Sequence, residues 1–451
     1  MFPVHLLRSS RPGVSWPALP SDDGAHMLAL QFQLARTQWE TPADIELGQF
    51  RQLAHLLGHA HATIPFWRER LEAAGYDRNA ATPAWFRALP ILTRGEVQAL
   101  GDSLLSSRVP PEHGKVARGQ TSGSTGRPIG FYVTQVSQLF WLAFTLRDHL
   151  WHRRDLSGKL AAIRIKVENE SGPGWGPATD AVFHTGPSAT LNIRTDIDEQ
   201  LAWLDQHDPD YLITHPSNLR ALVRRALEKG WRPRRLREAR TFAEALPEDL
   251  RALCREAWNV KLCDTYSAEE TGYIALQCPE HEHYHVQAES LIVEVVDQRG
   301  EPCQPGETGR VVVTTLQSFA MPLIRYEIGD YAVAGAPCPC GRGLPVIERV
   351  MGRTRNLLRL PDGRRFFPSF PADTWAEIAP IRQLQIVQRA VGNIDIRLVA
   401  ERRLTAAEEA RLTAAFQASL THPFPIEYHY VDEIARGAGH KFEDFVSEVE
   451  T

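Results

Sequence analysis

No apolar run in this 451-residue sequence reaches the roughly 18 to 20 residues that a helix needs to cross a bilayer, so neither a membrane span nor a membrane partner is expected. Met1 to Pro20 lack a continuous apolar segment of the signal-peptide kind, and a cytoplasmic protein is the default expectation. Excess charge of one sign is also missing. The 50 Lys and Arg nearly balance 55 Asp and Glu, and a net charge of −5 gives no electrostatic case for nucleic acid. Six cysteines spread over such a length do not make the disulfide framework of a small secreted domain. Internal repeats, low-complexity tracts and the GxxxxGK[ST] order of a Walker A loop are absent too. What is present is a chain with 43% hydrophobic residues, too long for one compact core.

The most informative stretch is Gln120-Thr121-Ser122-Gly123-Ser124-Thr125-Gly126-Arg127-Pro128, ahead of an apolar strand from Ile129 to Val133. Glycines let backbone N–H groups approach oxygen closely, Ser and Thr hydroxyls donate further hydrogen bonds, and Arg127 adds positive charge. The loop therefore suits phosphate, although a Ser/Gly/Thr cluster is also an ordinary solvated loop.

Periodicity predicts a helix from Ile45 to Ala74, a break at Leu89-Pro90 with a new helix beyond, and a buried helix from Gln135 to Leu150. Strands follow at Leu160 to Ile165 and Tyr211 to Ile213, then a helix through Leu227. This alternation indicates an α/β core with largely parallel sheets. After about residue 285, β-rich segments at Leu291 to Val296 and Arg310 to Thr315 predict a small antiparallel or barrel-like element. Beyond Gly352 to Asn356, strand Gln383 to Gln388, strand Ile394 to Ala400, helix Thr405 to Leu420 and strand Ile426 to Val431 read as a compact α+β module.

Downstream of the glycine-rich loop stand Tyr266-Ser267-Ala268-Glu269-Glu270-Thr271-Gly272, Arg325-Tyr326-Glu327-Ile328-Gly329-Asp330, Gly352-Arg353-Thr354-Arg355-Asn356 and Gly439-His440-Lys441-Phe442. This order resembles the adenylate-forming superfamily, and within it the phenylacetate-CoA ligase branch and its capsule-biosynthesis (CapK)-like relatives, from about residue 50 onward. The resemblance implies an adenylation domain over 1–352 and a mobile C-terminal lid over 353–451. It also implies ATP-dependent activation of a carboxylic acid to an acyl-adenylate, followed by thioester formation with CoA. Transfer to an amine or a carrier-protein thiol, or a non-catalytic acyl- or nucleotide-binding role, stays open beside it. The implied ligands are a small carboxylic acid, ATP with Mg²⁺, and CoA, and a homodimer is compatible with them.

The resemblance also assigns roles to single residues. The loop from Thr121 to Arg127 holds the phosphates, and Glu270 binds magnesium, a hard cation that prefers oxygen. Tyr266 packs against the adenine, Asp330 accepts from the ribose hydroxyls, and Arg353 contacts the nucleotide. The Phe242-Ala243-Glu244 segment lines the adenine pocket, with Ala243 where relatives carry glycine. Lys441 reaches the α-phosphate as negative charge builds there. Departures are Glu269 for a Ser or Thr, Asn356 for the hinge residue, and His440 for a glycine. Aromatic residues near Trp141, Phe144, Thr214, His215 and Pro216 suggest an aryl or other apolar acid, and core packing explains them equally well.

Two further groups stand out. Cys278, Cys338 and Cys340, with a histidine for which His285 fits best, offer the sulfur and nitrogen donors of a structural Zn²⁺ site. A run of basic residues, including Arg220, Arg224, Arg225, Lys229 and Arg240, is either a phosphate-attracting patch or a solvated charged face.

Overall fold

The computed structural model describes residues 3–77, 82–121, 128–368, 370, 375, 378–434 and 442–449. The expected α/β architecture is present. Helices begin where hydroxyl caps meet apolar periodicity. Thr41 accepts from the Asp44 amide ahead of helix Pro42–Thr63, and Thr93 and Glu96 close a reciprocal capping box on helix Arg94–Leu100. The single helix read from Ile45 to Ala74 is in fact two. Pro65 bars Ile64 from helical angles, leaving it extended at φ −129°, ψ 111°, and helix Pro65–Ala73 starts in a new direction. No described helix is long and apolar enough to cross a membrane.

The largest sheet has 12 strands among the described residues. Toward one end of it, Ser188–Asn192, Leu160–Arg164, Tyr211–Thr214, Glu238–Phe242 and Lys261–Ala268 run parallel to one another, and antiparallel strands flank them on both sides, so the sheet is mixed rather than largely parallel. One face is covered by helices Pro216–Lys229 and Leu250–Trp258, whose Leu219, Leu222, Val223, Leu250 and Cys254 are fully buried. Helix Gln135–Trp151 belongs to a second core, with Phe144 and Leu146 buried among Ile274, Leu276 and Tyr284.

The barrel-like element expected after residue 285 is not a separate unit. Leu291–Val296, Thr308–Thr315, Tyr326–Ala334 and Val346–Arg353 pair antiparallel in sequence. The short strand Tyr284–Val286 then bonds on both sides, to Val346–Arg353 and to Gly272–Gln277, and so joins this meander to the main sheet. Hairpin chemistry is visible locally in the sequence, whereas the use of that second edge is not.

From Leu358 to Phe445 a further core forms, with Ile386, Ile396, Leu398, Phe416 and Phe424 fully buried. Its sheet runs in the order Ile426–Tyr430, Asn393–Ala400, Ile381–Ala390, Phe445–Ser447, and helix Ala406–Leu420 lays Leu412, Phe416 and Leu420 against it.

Candidate active site

The neck of the glycine-rich loop is the hairpin Ala117–Gln120 with Gly130–Val133. Thr121 closes it: its amide donates to the Ile129 carbonyl and its hydroxyl accepts from the Ile129 amide, both at 2.9 Å. Ser122, Gly123, Ser124, Thr125, Gly126 and Arg127 lie outside the described residues, as does Lys441.

Tyr266, Glu270, Asp330 and Arg353 come together although they are far apart in sequence. Asp330 and Arg353 face each other across adjacent strands, with Nε 3.3 Å from Oδ1, and the Tyr266 hydroxyl donates to the other Asp330 oxygen at 2.8 Å. Glu270 is buried and accepts from the Tyr326 hydroxyl at 3.3 Å, while the Arg94 guanidinium lies 3.5 Å away. Burial raises the Glu270 carboxyl above its ordinary range, and Arg94 and Arg353 oppose that rise. A carboxylate is the hard oxygen ligand that magnesium takes, and Glu270 offers one such ligand here. A cleft of about 270 Å³ opens alongside, lined in part by Arg94, Gly329, Arg353 and Arg355. Arg94 is an addition that the local pattern does not signal, and Tyr326, though within the Arg325 to Asp330 motif, is given no role there, because each meets Glu270 only through tertiary packing.

Glu244 sits where three segments meet. One carboxylate oxygen accepts from the Ser217 amide and the other from the Phe442 amide, both at 3.0 Å, and His215 Nδ1 is 3.6 Å away. The residue after Lys441 is thereby anchored to the Phe242-Ala243-Glu244 segment. Ala243 has φ +73°, the left-handed region that glycine enters at least cost.

Residues 364–448 match the CapK C-terminal domain family. A phenylacetate-coenzyme A ligase of Thermus thermophilus is 26% identical over 77% of this chain and 79% of its own length. The crystal structure of 2-hydroxyisobutyryl-CoA ligase in the postadenylation state, in complex with R3-HIB-AMP, superimposes with a TM-score of 0.71 at 18% identity over 92% of both chains. The chain has the adenylate-forming fold. Against the same ligase in its thioesterification state, with 2-HIB-AMP and CoA, the TM-score is 0.59 at 19% identity over 92% of both chains. The arrangement of this chain is therefore nearer to that of the first of these two structures. The resemblance read from the four motifs is borne out.

The cysteine cluster lies in the turn between Gly272–Gln277 and Tyr284–Val286, on Tyr284–Val286 itself and in the loop after Tyr326–Ala334. Ligand atoms of Cys278, His283, His285 and Cys338 all fall within 4.8 Å of one another, and Cys340 Sγ is 3.5 Å from His285 Nε2. His283 Nε2 and His285 Nδ1 are buried without a hydrogen-bond partner. Burial, with Arg342 beside it, pushes the His285 imidazole down to about 3, so the ring is neutral and able to donate a lone pair. Burial raises the Cys278 and Cys338 thiols, while backbone and Arg342 contacts lower that of Cys340 against its own burial. Cys278, Cys338, His283 and His285 supply four sulfur and nitrogen donors of the kind tetrahedral zinc takes, and Cys340 adjoins them at His285. His283 is the donor that the sequence reading passes over, although it shares the His-x-His spacing with His285.

Most of the basic run is neutralised within its own surface. Arg225 and Lys229 pair with Asp198, Arg235 and Arg237 with Asp210, and Arg240 with buried Asp148. Arg220 and Arg224 instead reach the C-terminal unit. Of the residues read as an acid pocket, Phe144 and Thr214 are fully buried, and the Thr214 hydroxyl is bonded by Asn218. Trp141 is half-buried, with its ring 4.8 Å from that of Tyr273, and His215 lies against Phe242 at the same separation.

Proposed function

We propose that this chain activates a carboxylic acid with ATP as an acyl-adenylate and then transfers the acyl group to CoA. The observation that carries this reading is the convergence of Glu270, Asp330, Arg353 and Tyr266 at one buried corner. In that reading Glu270 holds magnesium, Asp330 and Arg353 hold the ribose and phosphate side of the nucleotide, and Tyr266 forms a wall for the adenine. The loop Thr121, Ser122, Gly123, Ser124, Thr125, Gly126 and Arg127 receives the departing phosphates, and Lys441 supplies charge at the reacting carboxylate. Catalysis of this kind is positioning and charge neutralisation. Trp141 and Tyr273 give the acid an aromatic boundary, which favours an aryl or similarly apolar acid.

Pyrophosphate release measured over a panel of carboxylic acids, with and without CoA, tests the assignment. Glu270→Gln and Lys441→Ala should each lower acid-dependent release by roughly 100-fold or more while the protein stays folded. Full activity in either variant removes that residue from the chemistry, and silence of the native protein with every acid sinks the reading.

We also infer that Cys278, Cys338, Cys340 and a histidine, His285 or His283, hold one structural zinc. It would tie the turn after Gly272–Gln277 to the loop after Tyr326–Ala334, bracing the strand that follows Glu270 and the strand that carries Asp330. Protein purified without chelator should contain about one zinc per chain, and Cys338→Ser should lose metal and melting temperature together; a metal-free chain of unchanged stability would refute it.

A further inference from the structure

We propose that Arg220 and Asp444 form a latch that docks the C-terminal unit for the first half-reaction, making both of them positioning residues. Arg220 is almost fully buried on helix Pro216–Lys229, and its guanidinium spans two carboxylates of different ownership. Nη2 bonds Asp249 of the large body at 2.8 Å, and Nη1 bonds Asp444 of the C-terminal unit at 3.0 Å. A planar fork of fixed donors suits this bridging role, which a lysine cannot reproduce with one nitrogen.

Other contacts act on the same segment. The Phe442 amide is held by Glu244, whose second oxygen holds Ser217 at the start of the helix that carries Arg220. One turn beyond Arg220, the Arg224 guanidinium lies over the Trp375 ring at 4.8 Å. One face of a single helix thus grips both the segment after Lys441 and the apolar core of the C-terminal unit. Glu443, between the two gripped residues, turns the other way and bonds Arg355 and Asn356 beside Phe445–Ser447. The segment is therefore fastened within its own unit by Glu443 and to the body by its neighbours. Lys441 is adjacent in the chain to Phe442, so its delivery to the site depends on this docking.

The latch is also built to release. Asp249 remains with Arg220 when Asp444 leaves, so no arginine is abandoned in the body. The Asp444 side chain is 40% exposed, yet burial at the joint still raises its carboxyl above the ordinary range with Arg220 opposing, so the carboxylate regains hydration when it leaves. The better superposition on the postadenylation arrangement than on the thioesterification one, 0.71 against 0.59, agrees with a latch closed in this pose.

The inference rests on the ligase reading for its catalytic arm alone, and the test separates the two. Labels placed at Glu256 and Arg411 through unnatural amino acids, leaving native cysteines intact, report the distance between body and C-terminal unit. Asp444→Asn should lower the docked fraction about tenfold, the weight of one charge-assisted hydrogen bond. It should slow acid-dependent pyrophosphate release by a similar factor, leave thioester formation from supplied phenylacetyl-adenylate and CoA unchanged, and be rescued by Asp444→Glu. An unchanged docked fraction overturns the latch. So does an equal loss in both half-reactions with a fall in melting temperature, which marks a structural residue. If no acid supports turnover in the native protein, the ligase reading fails and the distance measurement alone decides the latch.

Discussion

The large body and its joint with the C-terminal unit both use buried arginines, and they use them in opposite ways. In the body, Arg147 is 2% exposed and both of its terminal nitrogens are held within the body, by Glu289 through two bonds of 2.9 Å, Gln287 at 3.0 Å and the Leu34 carbonyl at 3.1 Å, while Nε is buried without a partner. Arg154 is similarly enclosed by Asp148 and Glu238. At the joint, Arg220 divides its fork between a permanent and a removable carboxylate. A buried ion pair costs several kcal/mol when one partner is lost, so the body cannot open at Arg147. A partly exposed carboxylate is readily hydrated, so the joint can open at Asp444. One type of side chain thus makes a rivet in one place and a clasp in another, and the exposure of its partner decides which.

The largest effect expected from this contrast is at the rivet. Arg147→Met leaves Glu289 without its cation and removes one of the ties to helix Asp22–Thr37, and unfolding in urea should show a loss of about 3–5 kcal/mol. Asp444→Asn should leave the same unfolding curve nearly unmoved. A loss below about 1 kcal/mol for Arg147→Met would erase the distinction drawn here.

Much of the local structure was legible in the sequence. The C-terminal module appears with the strands and helix read from its periodicity, because alternation and a Thr405 to Glu408 capping box are written in neighbouring residues. The expected partners Asp330 and Arg353 meet because adjacent strands bring them face to face. What was not legible is whatever depends on contacts between distant segments. Arg94 reaches Glu270 across 176 residues, and Asp444 reaches Arg220 across 224. No periodicity encodes such pairs. The same holds for Tyr284–Val286, whose second hydrogen-bonded edge makes the expected small antiparallel or barrel-like element an antiparallel part of the main sheet.

A medium-sized effect should appear with pH, and again in the body alone. His149 and His152 lie beside Asp148, Arg154 and Arg240, with Lys261 3.3 Å from His152 Nδ1. Burial drives both imidazoles down, His152 to about 3, against an ordinary 6.5, and the nearby cations add to that while Asp148 opposes it. In the window between these values the unfolded chain binds protons that the folded chain refuses. Stability is therefore complete above about pH 6.5 and falls as pH drops toward 3, by at most about 1.4 kcal/mol per unit for each histidine. Urea midpoints at pH 7.5, 6 and 5 should decline in that order, and His152→Gln should flatten the decline. A profile level across the window would mean that these imidazoles are not held neutral by the fold.

The smallest effect belongs to Ala243, at the seam between body and joint. Its φ of +73° brings Cβ into conflict with its own backbone, at a cost of about 1–2 kcal/mol for an L-residue. Glycine would remove that cost and give back about 0.5–1 kcal/mol through the greater freedom of the unfolded chain. Ala243→Gly should therefore raise stability by about 0–1.5 kcal/mol, while Ala243→Val, branched at Cβ, should lower it. The strain has a local correlate: Phe242 packs on His215, and Glu244 binds Ser217 and Phe442 from either side of Ala243. Alanine restricts the backbone between those anchors, and glycine frees it. The docked fraction reported by the labels at Glu256 and Arg411 should accordingly fall slightly in Ala243→Gly even as the melting temperature rises. If both quantities rise together, the alanine is strain without consequence for the joint, and the left-handed turn alone sets the Glu244 geometry.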